Sequence, residues 1–155
     1  MKPSSILFLL LLVVVASGCD SEPTMTQVSG KITKDGQPIN RVEVRFVPLK
    51  EKHGKFIASG LSDDEGNFVI GVPGREEALC PIGQCKVTVR EGPMPAELRG
   101  RLETADRGNG GGNDYKKYKA SLRHRPIPRK YERLHSTPLI FDVTKDKADG
   151  YDIDM

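Results

Sequence analysis

Tryptophan is absent from this 155-residue chain, aromatic residues make up 6% of it, and cysteine occurs only three times. No H-x-x-E or H-E-x-x-H spacing occurs, so a metallopeptidase site has no ligand set to start from. No G-x-S-x-G elbow positions a serine nucleophile. No cofactor fingerprint is present, and neither a cofactor nor a metal is expected. The one long apolar run, Ile6 to Ala16, is too short to cross a hydrocarbon layer of about 30 Å as a helix. Glycine and proline, by contrast, are plentiful at 16 and 11 residues. Both break helices and build turns, which argues against a helical bundle and for a turn-rich β-protein.

What is present begins at the amino terminus. Lys2, the apolar run and Ala16-Ser17-Gly18 have the order of a signal peptide over residues 1–18, with small residues at the cleavage site. Cys19 follows directly, and the set resembles a bacterial lipobox, with Ala16 where leucine is the stronger choice. Cys19 is therefore the candidate lipidation site, carrying acyl chains such as palmitate. The alternative is an ordinary secretory signal cut after Ala16 or Gly18. Residues 19–26 read as a lipidated tether, and an extracytoplasmic, membrane-anchored lipoprotein is the expected location. Asp20 resembles an inner-membrane retention signal, but the rule varies between lineages and leaves inner or outer membrane open. Cys80 and Cys85 remain as an even pair flanking a turn-like insert, a candidate disulfide in an oxidising compartment. The alternative is two free thiols, one at an inward strand position.

The mature chain, 19–155, is long enough for one domain with a real core. Val28, Gly30 and Ile32 alternate with polar neighbours, and Asp35-Gly36 marks a hairpin turn. Val42, Val44 and Phe46 alternate with Arg41, Glu43 and Arg45, the period of a half-buried strand. Further strands are expected at Phe56–Leu61, Phe68–Val72, Cys85–Val89, Leu139–Val143 and Tyr151–Asp154. Asp63 to Asn67 reads as a tight connection, with Asp or Asn capping backbone groups and Gly66 at positive φ, rather than as a calcium loop. Seven short strands separated by turn signals predict an all-β, antiparallel sandwich over 27–155. Residues 92–137 break the pattern as one long loop insertion. It is basic and rich in Gly and Pro, with one short helical turn at Ala96–Ala105 and a mobile run at Arg107–Asn113.

The ordered pieces share a series of motifs: Val28-Ser29-Gly30-Lys31-Ile32, Asp35-Gly36-Gln37-Pro38-Ile39, Val42 to Pro48, Asp63 to Phe68, and Pro81 to Val89. In this order they resemble the carboxypeptidase regulatory-like domains, a transthyretin-like group of seven-stranded Greek-key sandwiches. Ile127-Pro128-Arg129-Lys130-Tyr131 and Ser136-Thr137-Pro138-Leu139 are similar to the ending of a branch of short bacterial predicted lipoproteins. Cys85 stands where that family usually has an aromatic, which lowers core area. The resemblance implies an accessory module without the peptidase's separate catalytic domain. It implies a fold and no substrate.

The remaining signal is electrostatic. Tyr115 to Arg133 carries Lys116, Lys117, Lys119, Arg123, Arg125, Arg129, Lys130 and Arg133 against one acid, Glu132. Tyr115, Tyr118 and Tyr131 interleave with them, though Tyr131 sits at the family's K-Y aromatic and is expected to pack on the sandwich. Cations and aromatics together suit nucleic acid in the cytoplasm, but export removes that partner. On an exported protein the first seven cations are candidates for binding an anionic surface, whether lipid headgroups, a cell-envelope polymer or an envelope protein. A solvated loop whose charge serves solubility is the competing account. His53, His124 and His135 lie in polar segments and are expected to be exposed. The chain thus reads as a non-enzymatic binding or structural module held at the membrane by its lipid anchor. The alternative is a partner-binding subunit of an envelope complex, and a small hydrolase has the least support.

Overall fold

The structure, a computed structural model, describes residues 22–105 and 111–155. The expected signal peptide 1–18, the lipidation site Cys19, Asp20, and 107–110 of the glycine-rich run lie outside the described residues. In chain order the strands are β1 (Met25–Thr26), β2 (Val28–Lys34), β3 (Gln37–Pro38), β4 (Val42–Pro48), β5 (Ala58–Leu61), β6 (Asn67–Ile70), β7 (Cys80–Pro81), β8 (Gly83–Glu91), β9 (Ile140–Val143) and β10 (Ile153–Asp154). The helices are α1 (Ala96–Ala105), α2 (Gly111–Ser121) and α3 (Arg129–Glu132).

The protein is an all-β sandwich. One sheet has the order β5-β4-β8-β9, antiparallel throughout. The other is built on β2, which pairs with β3, β6 and β10. All seven expected strands form, and three two-residue strands, β1, β3 and β7, add to them. The expected antiparallel order fails at one place: β10 runs parallel to β2, with Ile153 opposite Ile32. The chain returns to that edge through 144–152, which is long enough to carry it back in the same direction as β2. The tether also ends earlier than expected, because Met25 and Thr26 pair with Pro81 and Cys80.

Alternation places the core. Val42, Val44 and Phe46 on β4 are fully buried, as are Val87 and Val89 on β8. They pack with Val28, Ile32, Phe68, Ile70 and Ile153 of the β2 sheet. Phe46 stacks on Phe141 with centroids 5.8 Å apart, and Tyr151 meets both rings edge-on at 6.0 and 5.8 Å. The aromatic area missing at Cys85 is supplied beside it, since Phe141 is its partner across β8–β9. At the β2–β3 hairpin, Asp35 and Gly36 both take positive φ, 53° and 73°, the geometry that matches the strands' twist.

The 92–137 segment was expected as one loop insertion outside the core, and the structure differs. Among the described residues it contains the three α-helices, and Gly111, Gly112 and Asn113, expected to be mobile, open α2. Ile127 and Tyr131 are buried in the main core. The buried Thr137 hydroxyl donates to the Val87 carbonyl at 2.6 Å. Apolar side chains at isolated positions thus bind the segment to the sandwich, with no periodic pattern to announce them. No described helix is long and apolar enough to cross a membrane.

Candidate ligand-binding site

An open cleft of about 740 Å³ lies where the end of the sandwich meets α2, lined by Asn40, Arg41, Ser62 to Asp64, Pro95, Tyr118, Ser121 and Arg123 among others. Its floor is the crossover from β3 to β4. Pro38 closes β3, and the chain must turn sharply before Val42 enters the core. Arg41 makes the turn with φ at 53°, a left-handed conformation uncommon for a residue with a long side chain. Ser62 holds it there. Its hydroxyl donates to the Ile39 carbonyl at 2.8 Å and accepts from the Val42 N–H, while its own carbonyl accepts the Arg41 N–H at 3.0 Å. The sequence pattern placed Arg41 in the outward row of β4; it instead precedes that strand and points into the cleft. Gly92 passes close beside it, and a Cβ at that position would lie 2.6 Å from the Arg41 carbonyl oxygen.

Asn40 fastens the two walls together. It is buried, and its side-chain amide donates to Asp64 Oδ1 at 3.0 Å and to the Ser121 carbonyl at 3.1 Å, where α2 ends. Its Oδ1 accepts the Arg123 N–H at 3.0 Å. Every polar atom of that side chain is therefore satisfied. The Arg41 guanidinium is not. Nη2 donates to the Pro93 carbonyl at 3.3 Å, and the group lies 5.9 Å from the Tyr118 ring centre. Its Nε is buried and has no hydrogen-bond partner among the described residues. A buried donor left unmade costs about 1–3 kcal/mol, so the sandwich holds this group in a strained and under-used state.

The seven expected binding cations do not form one surface. Lys116, Lys117 and Lys119 lie exposed on α2, with Lys119 6.0 Å from the Tyr115 ring. Arg123 is exposed at the cleft, where its Nη1 reaches the Asp64 carbonyl at 3.5 Å. Arg129 and Lys130 lie on α3, beside Arg133 and His135. Lys130 stands over the Tyr131 ring at 4.7 Å, and Tyr131 itself is buried in the sandwich as expected. Arg125 is not available to a ligand. It pairs with Glu91 at 2.7 Å and donates to the carbonyls of Asn40 and Arg123, each at 2.7 Å. It ties the segment to the sandwich, a role its place in a run of cations concealed.

The candidate disulfide is not made. Cys80 and Cys85 are free, buried thiols. They lie side by side, and the hydrogen bond to Cys85 together with burial pushes the Cys80 thiol well above its ordinary value. His53 is buried at the end of a turn at Glu51–His53, contrary to the expected exposure; His124 and His135 are exposed. Asp63 does cap its turn: one carboxylate oxygen accepts the Glu65 and Asn67 N–H groups at 3.0 and 2.8 Å, and Gly66 sits at φ 82°. Desolvation raises its pKa, but the hydrogen bonds from Asn67, Glu65 and Gly66 outweigh that and hold the carboxyl below the usual range. Among the described residues, no group of three His, Cys, Asp or Glu side chains could hold a metal ion.

No family model matches the sequence, and no curated protein matches it. Among solved structures, the crystal structure of a DUF3823 family protein from Parabacteroides merdae ATCC 43184 is similar over 48% of this chain and 36% of its own, at 20% sequence identity and a TM-score of 0.34. Sequence had flagged the cations on α2, yet Asn40 and Arg41 went unmarked. Their one signal is a pair of polar residues between Pro38 and the start of an apolar alternation.

Proposed function

We propose that this chain is a lipid-anchored, extracytoplasmic, non-catalytic module of the carboxypeptidase regulatory-like kind, which presents a basic helix to an anionic envelope surface. The anchor rests on the lipobox-like Ala16-Ser17-Gly18-Cys19, and the family reading rests on the order of the strand motifs. The observation that carries the surface role is α2: Lys116, Lys117 and Lys119 are exposed and make no ion pair among the described residues, with the Lys119 ammonium beside the Tyr115 ring. Cations left free on a helix at the rim of the domain are what an anionic polymer or headgroup layer would meet. At about 1 kcal/mol for each lysine near an anionic surface, the three together supply roughly a hundred-fold in affinity.

Two measurements test the reading separately. In cells, the full chain should fractionate with membranes and its Cys19→Ser variant should be released; a membrane-bound variant would remove the lipid anchor. Purified protein should co-sediment with anionic vesicles or isolated cell-wall material, with binding that falls steeply with salt and is lost in Lys116→Gln/Lys117→Gln/Lys119→Gln. Unchanged binding by that variant would remove α2 as the contact and favour a subunit that docks another envelope protein.

A further inference from the structure

We propose that the Arg41 cleft is a binding site for an acidic saccharide, a sugar unit bearing one carboxylate and several hydroxyls. The site stands on the cleft's own chemistry and holds whether or not the chain is anchored to a membrane. Arg41 is the first ground. Of the five donors a guanidinium carries, only the one to Pro93 is used among the described residues, and the buried Nε has no partner. A strained backbone at Arg41 holds that unspent group at the cleft, and strain of this kind gathers at ligand clamps. Arg123 adds a second guanidinium at the same wall, with one long contact to a backbone carbonyl. Guanidinium forks match planar carboxylates through paired N–H donors.

The rest of the lining selects among carboxylates. Among the described residues the Asp64 carboxylate receives a single hydrogen bond, from Asn40, and retains acceptor capacity for ligand hydroxyls. With the neighbouring Asp63 it disfavours a double charge on one group, as in a phosphate monoester, more than a single carboxylate on each sugar unit, because like charges in one cleft repel. The Ser121 hydroxyl donates to the Tyr118 carbonyl at 2.7 Å and keeps its oxygen as an acceptor at the rim. Tyr118 gives a flat, half-buried ring suited to the C–H face of a sugar, and no large aliphatic side chain lines the cleft. The walls are fixed to each other through Asn40 and Arg125, so the site is formed before a ligand arrives, which lowers the ordering cost of binding.

The test is calorimetric titration of the full chain with digalacturonate, with galactose and the dipeptide alanyl-alanine as controls. Digalacturonate should bind and galactose should not. Arg41→Asn, chosen because asparagine tolerates the left-handed backbone, should weaken binding about ten-fold or more, and the exposed Arg123→Gln should do so without altering the fold. Lys116→Gln/Lys117→Gln/Lys119→Gln should bind digalacturonate as the parent does, which separates this site from the basic face of α2. Absence of digalacturonate binding at millimolar concentration would overturn the proposal, as would binding indifferent to both arginine changes. Tighter binding of alanyl-alanine would assign the cleft to a zwitterion instead.

Discussion

The sandwich and the 92–137 segment are held by opposite means. In the sandwich, every second residue of β4 is buried, and Cys85, Val87 and Val89 keep the same period at the centre of β8, so each strand is fixed by a repeated pattern and no single contact carries it. In the segment, few residues carry the attachment: Ile127, Tyr131 and Thr137 enter the core, and Arg125 joins Glu91 to the carbonyls of Asn40 and Arg123. A periodic element loses stability gradually when its side chains are trimmed, whereas an element on isolated anchors can detach when one is lost. Placing the cleft at the seam between the two makes its geometry depend on those few anchors.

The sharpest way to break the comparison is to attack each side at its strongest point. Phe46→Ala removes the ring that joins Phe141 and Tyr151, and should cost about 3–5 kcal/mol in urea unfolding of the whole domain. Arg125→Ala should cost less, about 2–3 kcal/mol, yet expose 92–137 to protease far more than Phe46→Ala does under native conditions. Equal cleavage in the two variants would mean that the segment and sandwich unfold as one unit.

Smaller effects sharpen the same contrast. Because Cys80 and Cys85 are buried inside the sandwich, both should resist alkylation in the native state and react once the protein is unfolded. Failure to react even when unfolded and unreduced would reveal a disulfide between them. Acid should weaken the sandwich at two turns. The Thr33 hydroxyl and the Gly36 and Met155 N–H groups hold Asp154 below the ordinary value of 3.8, as hydrogen bonds do at Asp63. A depressed native pKa contributes stability that is complete above the unfolded value and disappears as pH falls through the native one. Unfolding midpoints should therefore be flat above about pH 5 and fall below it, and Asp154→Asn should flatten that fall. Least of all, neutralising Lys116, Lys117 and Lys119 should move stability by no more than about 0.5 kcal/mol, since they lie exposed on the segment's outer helix.

The strands were legible because burial on one face writes itself into a two-residue period: Val42, Val44 and Phe46 are read from sequence and found buried. The Asp35-Gly36 hairpin and the Asp63–Gly66 turn were legible for a different reason, since positive φ and side-chain capping narrow the residues that fit. The helices of 92–137 were mostly not. Gly111 and Gly112 are poor helix formers, and α1 and α2 lack a clear apolar stripe, so their packing against one another overrides local preference. Arg125 looked like one cation among eight because sequence gives no account of what lies across the fold from it.

The sequence by itself determined an all-β sandwich, the location of its inward faces and its turns, since these follow from alternation and from local backbone sterics. Only the tertiary structure decided that β10 runs parallel to β2, that the two buried thiols lie side by side, that Arg125 is a tie, and that Arg41 buries an Nε without a partner among the described residues. Those outcomes depend on residues such as Asn40 and Ser121, 81 positions apart, meeting at one point. Local pattern carries no information about such meetings, because the free energy that selects them is released only when distant segments pack.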